Sequence, residues 1–474
     1  MMREFNKKFK EFFVKNKYII LIFVLLFIVA FSLRLFPIRI SNWWDETVYL
    51  QHSEIMFSGR TNYSELSFRP PLLSILFFLV YFIKHSIFSA SILTALINTL
   101  TPVFIFLIGK KLYSNRVGVI AGLLSAFVPF IVRNSNYLLT DAPVITFMAI
   151  AFYFSLYKDK NIYLFLSGVF CSLAILMKFT AVLFVPIIFL FLLFNKVKIK
   201  GLLIFIFGVL LVLTPYFIWM QLRYGDFLIS FKLGPGFVTD KNEPTLFYFY
   251  KFSEAFTGLA VIGLILWVLR FGYLVKKRNW SKIKVEVILL LWIILFFFYM
   301  TKTNHKELRY ILPITVPLML MVGNGLDFVF NLIKKQWIIY LWIIFIIYLI
   351  FLSYPRIQYI KEVGLVDKYV SDEMIIADYL NNEMNYTGII YTNQRWPVFA
   401  YYTGLKTIQV YPYDERIYEL IPEKMPKKGI WIGQYSAERF TPFKQPTFNR
   451  LLDDKRFKFN KDIGDFYIFE YNSN

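Results

Sequence analysis

Four short stretches of this 474-residue chain hold residue types that can do chemistry beside apolar segments. The first, "RISNWWDETVYL", begins at Arg39 and sets Asp45 and Glu46 directly after two tryptophans. Tryptophan suits the headgroup layer of a bilayer, but adjacent carboxylates repel each other and disfavour a low dielectric. The second is "RNSNYLLTDAP" with Asp141, the third "LMKFTA" with Lys178, and the fourth "KTNHKELRYILP" with Arg309 and Tyr310. Arg69, in "FRPPL", closes the polar part of the segment that starts at Asp45. Ionisable groups at membrane depth are candidate functional residues by default. The chemistry they fit is transfer of a sugar from a polyisoprenyl phosphate. Lys178, Arg309 and Arg69 are placed to stabilise charge on a departing phosphate, and a carboxylate near the sugar C1 can take the proton of an incoming hydroxyl or amine. The transition state would resemble an oxocarbenium ion, and direct displacement would invert the anomeric centre.

Such a site needs helices to carry it. The composition, 58% hydrophobic with a mean hydropathy of +0.55, is that of a polytopic membrane protein. Eleven apolar runs approach the length of about 20 residues that spans a bilayer: 18–36, 87–109, 117–134, 142–157, 162–178, 179–194, 201–222, 255–275, 284–301, 310–330 and 336–353. The runs 162–178 and 179–194 abut, so a re-entrant pair is an alternative there. A further run, 70–83, is short and opens with two prolines, and is expected to be interfacial or non-spanning.

The net charge of +21 does not indicate nucleic acid. Residues 354–474 hold 16 basic and 16 acidic side chains, so the whole excess lies in 1–353, with 36 basic against 15 acidic. It is spread over short gaps at 1–17, 110–116, 158–161, 195–200, 276–284 and 331–335, as the positive-inside rule would place cytoplasmic loops. With the N-terminus inside, the segments 37–86, 135–141, 223–254, 302–309 and the C-terminal region lie outside. All four chemical groups then fall at extracytoplasmic helix ends. Residues 354–474 alternate strand-like ("GIIYT", "TIQVY", "GIWIG") and helix-like ("SDEMIIADYLNNEM", "YDERIYEL") segments, the pattern of a small α/β domain. The expected organisation is a mainly α transmembrane domain over 1–353, including a first outer loop at 37–86, followed by a soluble α/β domain. The only cysteine, Cys171, permits no intrachain disulfide.

The segment "WWDETVYLQHSEIMFSG…FRPPLLSIL" resembles the first outer loop of the protein O-mannosyltransferase and aminoarabinose-transferase group, GT-C fold glycosyltransferases that use lipid-phosphate sugars. The matching positions are Asp45, Glu46, Tyr49, Gly59 and Arg69 to Leu72. "YLLTDAP" is similar to the second acidic motif of that group, "LMKFTA" to its "LTKG" site and "ELRYILP" to its "PRYLLP" stretch. The likeness runs from about residue 18 to 353. It implies Asp45 as catalytic base, Asp141 as a second essential acid and Lys178 as a phosphate contact. Glu46 is then a supporting carboxylate, and Tyr49, His52 and Tyr310 are substrate-contact candidates. Phe179 stands where the group has glycine, a departure that bears on the local backbone rather than on the charge. The "WWD" tripeptide also resembles the "WWDYG" of oligosaccharyltransferases, but there it lies in the soluble C-terminal domain. The match here is coincidence.

Each group has a plainer reading. Asp45 and Glu46 suit a solvated helix start, Asp141 can cap the helix after it, Lys178 can snorkel, Arg69 can anchor a loop, and Arg309 and Tyr310 fit an interfacial belt. His52, His85 and His305 make no metal-ligand spacing; no cofactor is implied, and a divalent metal stays open. The expected partners are a polyisoprenyl-phosphate donor, a lipid, glycan or protein acceptor, and the bilayer. Two rivals from other classes are a lipid-linked-sugar flippase or transporter and a non-catalytic assembly subunit. A transporter favours mid-bilayer polar residues and paired repeats, whereas the acids here cluster at one face.

Overall fold

The computed structural model describes residues 21, 23–58, 69–233, 243–303, 305–410, 424–438 and 447–472. Gly59 and the segment "YDERIYEL" therefore lie outside the described residues. The chain divides into two compact units, Met1–Ile38 with Asn62–Leu365, and Arg39–Thr61 with Val366–Asn474.

The first unit is helical. Among the described residues, six helical stretches are long and apolar enough to cross a membrane: Ile87–Leu112, Ile199–Tyr224, Phe252–Lys276, Trp280–Thr301, Leu308–Leu332 and Lys335–Val363. Asn115–Phe127 and Pro129–Ser135 pass the same test together and meet at a bend of 60°, as in a broken span or a re-entrant loop. The shorter helices Phe23–Leu35, Pro143–Ser155, Asn161–Met177 and Phe179–Phe194 occupy the remaining expected runs. Leu72–Tyr81, ten residues long, rises only about 15 Å, half the thickness of the hydrocarbon core. The protein is a multi-pass membrane protein.

Lipid gives little hydrophobic reason for one apolar helix to prefer another, so close backbone approach through small residues does that work. A Cβ built on Gly168 would sit 2.1 Å from the carbonyl oxygen of Phe205, and one on Gly208 2.4 Å from that of Phe165. This locks Asn161–Met177 onto Ile199–Tyr224. Gly325 would meet the carbonyl of Gly263 at 2.2 Å and joins Phe252–Lys276 to Thr315–Leu332 in the same way.

The bend before Pro129 has a chemical cause. Proline has no N–H, so the carbonyl of Ser125, four residues back, loses its helical partner. The fully buried Arg34 replaces it, donating from one guanidinium nitrogen to Ser125 O at 2.9 Å and from the other to Ala126 O at 3.3 Å. A cation at the C-terminal end of a helix also suits the helix dipole.

The second unit is an α/β layer. Its strands are β1 (Ile389–Thr392), β2 (Thr407–Gln409), β3 (Gly429–Gln434), β4 (Phe457–Ile463) and β5 (Phe466–Tyr471). The sheet order is β2-β1-β3-β5-β4, with β1 parallel to both neighbours and β5 antiparallel to both of its own. Alternation along the strands gives each face a core. Tyr391, Trp431 and Phe469 fill one, and Ile390, Ile430, Ile432 and Ile468 the other. The tight turn from β4 to β5 uses Gly464 at φ 56°, a conformation that costs glycine little.

The helix Trp44–Phe57 packs in this second unit. Trp44 meets Trp396 edge to face at 6.5 Å, and the Asn42 backbone N–H donates to the Tyr402 hydroxyl at 2.8 Å. Both partners lie on the helix Trp396–Thr403 between β1 and β2. The last long helix, Ile338–Val363, runs past the expected boundary at 353.

Candidate functional site

In the helical unit, three of the four sequence groups come together around one carboxylate. Asp141 sits in the turn between Pro129–Ser135 and Pro143–Ser155 and is 5% exposed. That turn is pinned by the Asn136 amide, which donates to the carbonyls of Arg34 at 3.0 Å, Leu35 at 3.3 Å and Pro37 at 3.1 Å. Asp141 does not cap the helix after it, whose first turn has no side-chain cap. Its Oδ1 instead accepts from the ammonium of Lys178, and its Oδ2 lies 3.7 Å from a terminal guanidinium nitrogen of Arg309.

Lys178 is not a mid-helix residue reaching outward. It stands in extended conformation (φ −154°, ψ 117°) at the break between Asn161–Met177 and the 3₁₀ turn Phe179–Leu183. The break keeps its ammonium beside Asp141 and 4.8 Å from the centre of the Tyr310 ring, a cation–π distance. Phe179, at the position of the family glycine, has negative-φ backbone and packs on Phe231 at 5.0 Å. Arg309 and Tyr310 come from the 3₁₀ segment Leu308–Ile314, which continues into Thr315–Leu332. The Arg309 guanidinium lies 5.8 Å from the same ring.

Two residues that the sequence analysis left unassigned complete this cluster. One carboxylate oxygen of Glu307 forms an ion pair with Arg309, 2.6 Å from its Nε, and His305 Nε2 lies 3.0 Å from the other oxygen. The signal available was the density of charged and titratable residues in "HKELR", just before the apolar run that starts at Tyr310. Arg69 is half-buried just before the helix Leu72–Tyr81.

In the second unit, Asp45 and Glu46 occupy the first turn of Trp44–Phe57 and differ sharply in surroundings. Glu46 is 1% exposed; both its oxygens receive Arg39 at 3.0 Å, and one accepts the Trp43 backbone N–H at 2.8 Å. It therefore caps the helix and neutralises Arg39. Asp45 is half-buried. Tyr49, one turn on, and His52 are buried.

A second buried ionic cluster was not foreseen. Glu286 accepts from the Trp267 indole at 2.6 Å and the Asn324 amide at 2.7 Å. Asp327 pairs with Arg116 at 3.1 Å and lies 3.9 Å from Arg270. Arg309 precedes the helix Thr315–Leu332 and Asp327 lies near its far end, so the two clusters occupy opposite ends of it. These contacts tie the helices Asn115–Phe127, Phe252–Lys276, Trp280–Thr301 and Thr315–Leu332 together. Each acid stands singly in an apolar run, and only the fold brings the partners to it.

Two family models match parts of the chain. The dolichyl-phosphate-mannose-protein mannosyltransferase model covers residues 69–219, with Asp141 and Lys178. The Alg9-like mannosyltransferase model covers 242–381, with Glu307, Arg309 and Tyr310. Asp45 and Glu46 lie outside both. No curated protein matches the chain in sequence. Among solved structures, ArnT from Cupriavidus metallidurans bound to undecaprenyl phosphate superposes with a TM-score of 0.66 at 13% identity, covering 96% of this chain and 98% of that one. The chain is a GT-C membrane glycosyltransferase. The Archaeoglobus fulgidus oligosaccharyltransferase has the same GT-C fold, with a TM-score of 0.64 at 13% identity over 88% of this chain and 70% of that one. The archaeal oligosaccharyltransferase AglB in complex with an inhibitory peptide and a dolichol-phosphate gives 0.63 at 12%, over 90% and 70%.

Proposed function

We propose that this GT-C glycosyltransferase moves a monosaccharide from a polyisoprenyl phosphate to a lipid, glycan or protein acceptor on the extracytoplasmic face, with inversion at C1. The observation that carries this reading is the Lys178–Asp141–Arg309 cluster: two cations set by a helix break and a 3₁₀ turn, at helix ends, inside a glycosyltransferase fold. Such a pair suits a phosphate whose lipid tail stays in the bilayer.

In the reaction, an acceptor oxygen or nitrogen forms a bond to C1 of the sugar. The bond from C1 to the phosphate oxygen breaks, and its electron pair leaves with the polyisoprenyl phosphate. Lys178 and Arg309 stabilise that growing charge. The acceptor proton passes to a carboxylate; Asp45 is assigned this role and Glu46 a supporting one. Asp141 holds the two cations in register.

Purified protein incubated with a panel of radiolabelled polyisoprenyl-phosphate sugars and cell lipids should yield a labelled product, identified by mass spectrometry. A flippase would instead move donor across proteoliposomes and leave the sugar on its carrier. That outcome would end the transferase reading.

A further inference from the structure

We propose that Glu307 is a positioning residue for the donor phosphate, acting through Arg309; the inference rests on the phosphate-binding role given to Arg309 above. Arg309 approaches Asp141 only at 3.7 Å, longer than a hydrogen bond, so Asp141 attracts the guanidinium without fixing its direction. Glu307 lies much closer: one carboxylate oxygen pairs with the guanidinium 2.6 Å from Nε. A guanidinium is rigid and planar, so a close ion pair at one of its nitrogens limits where the others can lie.

Glu307 is itself held at its carboxylate and at its backbone carbonyl. His305 Nε2 lies 3.0 Å from its second oxygen, which limits rotation of the carboxylate. Extended backbone (φ −118°, ψ 143°) begins the 3₁₀ segment at this residue. The Tyr248 hydroxyl donates to its carbonyl at 3.3 Å. Burial, and the nearby Tyr310, Glu307 and Asp141, raise the Tyr248 pKa well above the usual phenol range, so that hydroxyl keeps its proton and remains a donor. One segment, 305–309, thus supplies the cation, the group that aims it and the group that aims the aimer.

The direction in which a guanidinium presents its N–H groups to an anion matters as well as its charge, so a residue that restrains Arg309 bears on phosphate binding.

A double-mutant cycle on the full-length protein tests this, with undecaprenyl phosphate as the probe and its dissociation constant as the readout. Melting temperature and a single size-exclusion peak qualify each variant. Arg309→Met should weaken binding by roughly tenfold or more, the scale of a charge-assisted hydrogen bond. Glu307→Gln should weaken it several-fold, and Glu307→Asp, which keeps the charge, should recover part of the loss. In the Arg309→Met background, Glu307→Gln should change nothing further. Equal losses from Glu307→Gln in both backgrounds, or tighter binding in the parent, would overturn the positioning role while leaving the function proposed above intact. If Arg309→Met alone binds undecaprenyl phosphate as tightly as the parent, the phosphate role of Arg309 itself fails, and the positioning role with it.

Discussion

Lys178 and Asp141, 37 residues apart in sequence, form an ion pair in which both side chains are largely buried. Each member makes the other tolerable away from water. Losing one partner of a buried pair is costly, on the order of 3–5 kcal/mol, whereas losing both together is far milder. Lys178→Met should therefore lower the melting temperature more than the double variant Lys178→Met with Asp141→Asn. Differential scanning fluorimetry in detergent gives the comparison. A larger drop in the double variant would mean that the pair is not the unit of stability.

Function should separate from stability at the same position. Lys178→Ala is expected to lose donor use strongly, while Lys178→Arg keeps part of it, since arginine supplies charge with different reach and geometry. Donor binding and single-turnover transfer are the measurements. Normal turnover by Lys178→Ala would reduce Lys178 to a structural partner of Asp141.

Asp45→Asn keeps the shape of the side chain and removes its basicity. Transfer should fall by about 10²–10⁴-fold, the usual contribution of a general base, with melting temperature and donor binding close to the parent. Wild-type transfer rates from this variant would place the base elsewhere.

Glu46→Gln should show the opposite balance. It loses the charge that pairs with Arg39 and weakens the cap on Trp43, so the helix Trp44–Phe57 loses support. The expected result is a lower melting temperature and a smaller loss of rate than Asp45→Asn. A rate loss as large as that of Asp45→Asn, at unchanged stability, would make Glu46 a direct participant.

The orientation is open to labelling. In a Cys171→Ala background, a cysteine near Tyr435 should react with an impermeant maleimide added from outside, and one near Asn279 should not. The reverse pattern would put the C-terminal unit in the cytoplasm and overturn the extracytoplasmic reading.

Much of this protein was legible in its residues. Apolar length marks a membrane helix locally, because each spanning segment must satisfy its own backbone hydrogen bonds. Helices therefore stand along the eleven expected runs wherever their residues are described, and Leu72–Tyr81, at ten residues, is shorter than any of them. The strands "GIIYT" and "GIWIG" were legible because both faces are buried and the residues are β-branched or aromatic. Asp141, Lys178 and Arg309 were visible as charges that apolar surroundings would not hold without a reason. Tertiary structure alone decided which of them touch. Lys178 meets Asp141 because a helix breaks at that residue, and Phe179 gave no local sign of how the break would run. Glu307 and His305 joined the cluster through a turn whose geometry depends on neighbouring helices. The helix carrying Asp45 packs in the α/β unit through Trp396 and Tyr402, some 350 residues later in the chain, as the separation of 360 between Asn42 and Tyr402 records. A contact of that sequence separation leaves no periodicity in either segment; it exists only once both surfaces have formed.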